Sequence, residues 1–363
     1  MLFIPSLWAD EELLYAIRYE GPADSPIKGK QISTQIFSIN PDNKENKLVF
    51  SDENSSIALS VGPNVPGIRE GEFVTSKKKI YGFAIERNIE IGYDSSLHPI
   101  YFYRFGMKSS IYEIFIDGTN RFRKVCDAMG TQYPTMMFID PTGTRIGYLN
   151  YSDKACKKQI LFIHHTLSGK LFNEVELAEI FLECFSTNIG WLPDGGRLFF
   201  TLDTGAVGVT SEESYQRIGT YFMKENGTDV TRLPDSLFSF RFKNGFSGGL
   251  TPRCIGVNPD GTLIIRDVRH KRGDRGGACS FLYLVDLDTK SKKEIPMKVF
   301  EDLKCFKISH DGTKIAFIED IYEDDSIHIL VKDLKTGKEN KIFSFPIRPF
   351  KGYYLGLVGW IED

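Results

Sequence analysis

One short stretch of the 363-residue chain gathers most of the side chains suited to binding chemistry, Arg266-Asp-Val-Arg269-His270-Lys271-Arg272-Gly-Asp-Arg275. Guanidinium forks match carboxylates in bidentate geometry, so such a cluster suits an acidic sugar or a peptide carboxyl terminus. Fifty residues on, Glu319, Asp320, Glu323, Asp324 and Asp325 supply the opposite charge. Either the two groups pair with each other, at about 0–1 kcal/mol per exposed pair, or the arginines receive a ligand's carboxylate. A third group, Tyr93, His98, Tyr101, Phe102 and Tyr103, either caps a ligand by stacking or packs as extra core. The candidate ligand-binding set is therefore Arg266, Arg269, His270, Arg272, His98, Tyr101, Glu319 and Asp320.

Other chemistries lack their parts. Gly245-Phe-Ser-Gly-Gly249 has the G-x-S-x-G spacing of a nucleophile elbow, but Leu250-Thr-Pro-Arg253 follows it and opens no helix. His164 and His165 are adjacent in a strand-like run, KKQILFIHHTLSG, so they face opposite sides and cannot share a metal. The run Glu319–Asp325 lacks calcium-loop spacing, and no phosphate-binding glycine motif is present. No catalytic residue, metal or cofactor is expected. A formal charge of −3 gives no general attraction to nucleic acid. The N-terminal MLFIPSLWADEELLYAIR lacks a basic signal-peptide head, and no apolar run is long enough to span a bilayer. The six cysteines form no C-x-x-C pair and read as reduced thiols. A cytoplasmic protein is expected, the alternative being a periplasmic one whose leader has been removed.

What positions the candidates is a repeat. FIDPTGTRIGYLNY, GWLPDGGRLFFTLD, GVNPDGTLIIRDV and ISHDGTKIAFIED share an apolar run, a turn ending in Gly143, Gly195, Gly261 or Gly312, and a second apolar run. Two degenerate copies precede them, with turns at Glu11 and Lys77; successive turns lie 66, 66, 52, 66 and 51 residues apart. Asp-Gly and Thr-Gly supply the positive φ that tight hairpins require. A second polar turn and a shorter, more polar strand follow each copy, as in HTLSGKLFNEV and DLKTGKENKIF. Each unit is thus four strands, a to d, with hydrophobicity falling toward d. Six such units bury both faces only when packed in a ring, which predicts an all-β, six-bladed β-propeller. The blades fall near 1–55, 56–126, 127–180, 181–234, 235–298 and 299–354, with 355–363 closing the first in a single propeller domain. Seven blades is the alternative. Phe3–Trp8 and Leu355–Ile361 compete for the closing position, and the sequence leaves that choice open.

WLPDGGRLFF, VNPDGTLII and ISHDGTKIAF resemble the W-S-P-D-G-x-x-I-A-F repeat of the TolB-like propellers, the WD40-like Pro-Asp type. The resemblance runs through six copies and is weakest around Lys77–Lys79, where Asp-Gly is absent. It implies the propeller fold and little about activity, because its members include an envelope component, gating propellers and oligogalacturonide lyases. In a four-stranded meander the a–b and c–d turns share one face of the ring. The long, unlike b–c connections, Arg87–Ser110 and Asp267–Ser280 among them, read as loops that share the other with the d–a segments, and loops longer than geometry requires carry function disproportionately. The expected function is therefore a non-catalytic ring presenting its b–c/d–a face to a protein or small acidic ligand. The alternative is a polysaccharide-active enzyme resembling the oligogalacturonide lyases, acting on an acidic sugar.

Overall fold

A computed structural model describes residues 11–20, 32–53, 55–59, 72–76, 78–93, 99–130, 134–151, 159–177, 185–203, 219–234, 250–270, 278–295, 303–321, 326–346 and 353–362. Among them are six antiparallel sheets. In chain order, β1 (Glu11–Glu20), β2 (Ile32–Ile39) and β3 (Asn46–Ser51) belong to blade 1. Blade 2 holds β4 (Ile57–Leu59), β5 (Phe73–Ser76), β6 (Lys79–Tyr93), β7 (Pro99–Ile114) and β8 (Phe122–Asp127). Blade 3 is β9 (Thr135–Ile139), β10 (Arg145–Tyr151), β11 (Gln159–His165) and β12 (Leu171–Glu176). Blade 4 is β13 (Phe185–Trp191), β14 (Arg197–Asp203), β15 (Gly219–Lys224) and β16 (Thr231–Arg232). Blade 5 is β17 (Leu250–Val257), β18 (Leu263–His270), β19 (Ala278–Val285) and β20 (Lys292–Ile295). Blade 6 is β21 (Leu303–Ile308), β22 (Lys314–Ile321), β23 (Ser326–Asp333) and β24 (Glu339–Pro346). The last strand, β25 (Tyr353–Glu362), completes blade 1 by pairing with β1, from Glu11↔Glu362 to Tyr19↔Tyr353.

The first strands touch in a closed circuit, β25 to β5, β9, β13, β17, β21 and back to β25, so they ring a common axis. The competition for the closing position is settled in favour of the C-terminal segment; Phe3–Trp8 lies outside the described residues. Burial follows the gradient in the sequence. Strands b and c of blade 3 are buried along nearly their whole length, whereas the outer strands β12, β16 and β20 are largely exposed. The core accordingly lies between blades. Leu161, Trp191 and Phe200 join blades 3 and 4, Phe83 and Tyr148 join blades 2 and 3, and Phe306 and Phe317 pack with Ile264 of blade 5. Tyr15 and Trp360 of blade 1 meet Ala316 and Val331 of blade 6. A four-stranded sheet buries both faces only with a neighbour on each side, which is why closure matters.

The turn chemistry is as the repeat requires. Gly143 has φ 72°, and its N–H donates to the Asp140 carbonyl at 2.9 Å; a β-branched residue resists that conformation. Two inner strands carry a less ordinary feature. Met136 and Cys305 occupy equivalent repeat positions and both adopt left-handed φ, 51° and 54°. Beside them the pairing of β9 with β10, and of β21 with β22, skips register, so each inner strand carries a bulge.

Two departures from the sequence reading are clear. The innermost position of blade 2 is filled by two short pieces, β4 and β5, both paired to β6, with residues 60–71 between them outside the described set. The second concerns b–c connections. Arg87–Ser110 and Asp267–Ser280 read as loops because Gly and charged residues interrupt them, yet both are largely paired strand. The β6–β7 ladder skips register after Ile85↔Ser109, resumes at Arg87↔Phe105 and runs to Tyr93↔Pro99. The β18–β19 ladder runs to His270↔Ala278. Alternating β-branched and aromatic residues such as Ile89, Ile91, Tyr101 and Tyr103 favour a pleated ribbon over a loop.

Candidate functional site

The strand ends of the b–c/d–a face are described; most of the connecting residues, 21–31, 94–98, 152–158, 204–218, 271–277 and 322–325, are not. Where strands b and c approach that face, the buried side chains turn from apolar to polar. They are Arg18 and Thr34 in blade 1, Ser109 and Ser110 in blade 2, Asn150 and Gln159 in blade 3, and Thr201 and Thr220 in blade 4. Blade 6 contributes Glu319, Ser326 and His328. Buried polar groups persist where hydrogen bonds compensate their desolvation. Ser110 Oγ donates to Asp127 Oδ1 at 2.8 Å, Asn150 Nδ2 to the Met129 carbonyl at 2.6 Å, and the Thr201 and Thr220 hydroxyls meet at 3.2 Å.

The most elaborate of these networks joins blades 1 and 2. The Arg18 guanidinium, fully buried, donates to the Glu72 carboxylate through both terminal nitrogens, to the Leu59 carbonyl at 2.5 Å and, through Nε, to Thr34 Oγ1 at 3.2 Å. Beside it the Asp52 carboxylate accepts the Thr34 and Leu59 N–H groups, each at 2.7 Å. Sequence reasoning missed this centre. Arg18 follows the apolar run of β1 and Glu72 lies in an unremarkable REGEF stretch 54 residues away, so no local pattern links them.

The opposite face spends its charge on its own turns. Asp140 Oδ1 accepts the Thr144 and Arg145 N–H groups at 2.7 and 3.0 Å. Burial pushes the Asp140 carboxyl up, but these bonds, with those from the Thr142 hydroxyl and the Arg145 guanidinium, bring it below its ordinary value. At Asp117 the Thr119 hydroxyl and the Arg121 guanidinium hold the pKa down at about 2. Asp194, Asp286, Asp311 and Asp333 are likewise lowered by bonds within their turns.

The sequence candidates are distributed as follows. Arg266, half-buried in β18, places its guanidinium carbon 5.0 Å from the ring centre of Phe306 in the neighbouring blade. The arginine-rich blade 5 thus meets blade 6 through a cation–π contact, a favourable use of a partly desolvated guanidinium. Glu319 is buried in β22, directly opposite His328 of β23, whose Nε2 lies 3.2 Å from Ser326 Oγ. The backbones of Arg269 and His270 end β18, Asp320 lies in β22 opposite Ile327, and Tyr101 lies in the blade 2 ribbon opposite Ile91. The side chains of these four, and Arg272 and His98 entirely, lie outside the described residues. No group of three His, Cys, Asp or Glu with metal-holding geometry occurs among the described residues. No helix among them is long and apolar enough to cross a membrane. Cys126 and Cys254 are free thiols, and burial pushes both up to about 12. On the rim between blades 1 and 2 lies a cleft of about 480 Å³, bordered by Gln35, Glu53 and Phe122; no sequence candidate lines it.

His164 and His165 divide as adjacent strand residues must. His164 is buried with its ring stacked on Tyr148, centroids 5.7 Å apart, and its Nδ1 3.1 Å from the Gly169 carbonyl; His165 is half-buried against Phe172. Burial pulls the His164 pKa below the usual 6.5, with the Gly169 carbonyl opposing. The unfolded chain therefore takes up this proton first. The related stability is fully present above about pH 6.5 and is lost as pH falls toward the lower folded-state value. His164→Gln is expected to flatten the decline in melting temperature between about pH 7 and pH 5, read from thermal melts of both proteins in one buffer series.

Among solved structures, TolB from Acinetobacter baumannii superposes with a TM-score of 0.52 at 13% identity, covering 96% of this chain and 67% of TolB. The fold is TolB-like. That likeness is one of blade architecture, since at this identity it reports the fold alone. A putative 6-phosphogluconolactonase from Bacteroides uniformis gives a TM-score of 0.44 at 11% identity over 96% of this chain and 98% of its own. A puromycin hydrolase gives 0.47 at 15% identity, with 95% of this chain and 49% of the hydrolase covered. Both scores are too low to compare sites. No protein-family model matches the sequence, and no curated protein sequence matches it.

Proposed function

We propose that this TolB-like ring is a non-catalytic binding module that presents its b–c/d–a face to a small acidic ligand or an acidic segment of a protein. The observation that supports it is the contrast between the two faces. The turn aspartates of one face are held by their own backbones. The other face gathers the ends of strands that differ from blade to blade, among them β18, whose sequence includes Arg266, Arg269 and His270. A rigid ring holds such residues in place at little entropic cost on binding.

The test is calorimetric titration of the full chain with trigalacturonate and with a polyglutamate peptide. Arg269→Ala combined with Arg272→Ala is expected to weaken binding at least about tenfold, the scale of one lost charge-assisted pair. The melting temperature should hardly move. Unchanged affinity in the double variant, or no binding of either probe, rejects the reading. An enzyme acting on acidic polysaccharide is the competing outcome. It would be recognised by depolymerisation of polygalacturonate together with a stoichiometric divalent metal lost in His270→Ala.

A further inference from the structure

Blades 5 and 6 face each other across a surface that is apolar near the short turns and polar toward the b–c ends. Ile264 and Leu282 of blade 5 share a core with Ile315, Phe317 and Leu330 of blade 6. Strand alternation therefore puts Arg266 on the surface of blade 5 that faces blade 6, and Glu319, His328 and Ser326 on the surface of blade 6 that faces blade 5. The Phe306 contact shows that the Arg266 side chain reaches across. Heights match as well. Arg266 stands three residues beyond Leu263 of the turn pair Val257↔Leu263, and Glu319 four beyond Ile315 of the pair Ile308↔Ile315, a difference of about 3.3 Å along the strand. A guanidinium and a carboxylate thus enter one gap, with a histidine directly across the ladder from the carboxylate.

Glu319 and His328 are 6% and 3% exposed. His328 Nε2 lies 3.2 Å from Ser326 Oγ, a hydroxyl that donates to a neutral ring and accepts from a protonated one, so it accommodates either state. The inner strand β17 places Arg253 at the register position opposite Arg266; its side chain lies outside the described residues. Other charged residues of these two surfaces lie further from the b–c ends. Lys332 bonds to Glu339 at 3.4 Å, and Lys293 and Lys341 are exposed in the outer strands.

We infer that Glu319 and His328 couple ligand binding at Arg266 to the uptake of a proton, so that an acidic ligand binds more tightly as pH falls. The coupling rests on the binding function proposed above and assigns its regulation. Without ligand, the Glu319 carboxylate balances the Arg266 guanidinium, and a second cation at His328 is disfavoured by the first. A ligand carboxylate that draws the guanidinium to itself leaves Glu319 a buried anion that needs a new counter-charge. His328, across the ladder, supplies it by protonating. The liganded form then holds more protons than the free one. Lowering the pH therefore favours it, and the coupling is reciprocal.

Calorimetric titration of the full chain with trigalacturonate at about pH 7.5 and about pH 6.0 reads the coupling. Carboxyl groups of this kind are ionised at both. Wild type is expected to bind at least about fivefold more tightly at the lower pH. Heats measured in buffers of different ionisation enthalpy should count about one proton taken up. His328→Gln keeps an amide for Ser326 but cannot protonate, and is expected to lose the gain. Glu319→Gln removes the internal competitor for Arg266 and is expected to bind more tightly at the higher pH, with little further gain on acidification. Thermal melts establish that both variants fold; if His328→Gln does not, the proton count on wild type and Glu319→Gln still decides. Equal affinity at both pH values overturns the coupling and leaves the binding function standing, whereas no binding at either removes both. A gain that survives in His328→Gln, and so belongs to another group such as His98 or His270, also overturns it.

Discussion

A chain ending at Gly352 is expected to lose its cooperative thermal transition, bind hydrophobic dye and expose sites to protease throughout. The deleted strand is the innermost of blade 1. Leu357, Val358, Trp360 and Ile361 are buried in it, and it lies between the first strands of blades 2 and 6. Its Trp360 Nε1 donates to the Lys307 carbonyl at 3.0 Å, and Lys307 Nζ donates to the Phe73 carbonyl at 3.2 Å. The C-terminal strand is therefore bonded to blade 6, which is tied in turn to blade 2. Removing it exposes two inter-blade cores at once, those holding Tyr15 with Val331 and Leu14 with Phe73. In a repeat protein, stability is the sum of unit and interface terms, and a ring has no capping unit to absorb the loss of one interface. Circular dichroism melts and limited proteolysis check the outcome. A folded, cooperatively melting truncation would mean that closure comes from elsewhere. The smaller change Trp360→Ala removes one large buried ring and is expected to cost about 3–5 kcal/mol in denaturant unfolding.

The second large effect is expected at the ion pair between blades 1 and 2. Glu72→Leu takes from the buried Arg18 guanidinium the carboxylate that both of its terminal nitrogens engage. Breaking a buried pair from one side costs about 3–5 kcal/mol, because the remaining charge loses its ion-pair partner in a medium that solvates it poorly. Arg18→Met combined with Glu72→Leu removes both charges and is expected to recover most of that loss, since apolar replacement of a whole buried pair is commonly near neutral. Urea unfolding of the wild-type, single and double variants decides it. If the single variant unfolds at the same urea concentration as wild type, the pair does not fasten the blades.

Sequence reading reached the blade pattern because it is local. A hairpin turn such as Asp140–Gly143 needs a left-handed glycine, and a strand stretch such as Ile146–Leu149 between two sheets must be apolar along its length. Both requirements are met by residues near in the chain, so they recur visibly at Gly195, Gly261 and Gly312. The candidates Arg266 and Glu319, read as loop residues, lie within β18 and β22 of adjacent blades. The same local logic misread the two long connections of blades 2 and 5 as loops, because pairing across a hairpin is set by register, which interruptions such as Gly92 and Asp267 hide.

From its sequence alone this protein was determined to be a six-unit repeat of four-stranded sheets with short turns on one face and long, dissimilar connections on the other. Tertiary structure alone decided which terminus closes the ring, that Arg18 and Glu72 meet, and that a ribbon extends beyond blade 2. The reason is one of range. Turn and strand preferences act over a few residues, whereas Leu13 beside Trp360, or Lys307 beside Phe73, are brought together only when all six blades have packed.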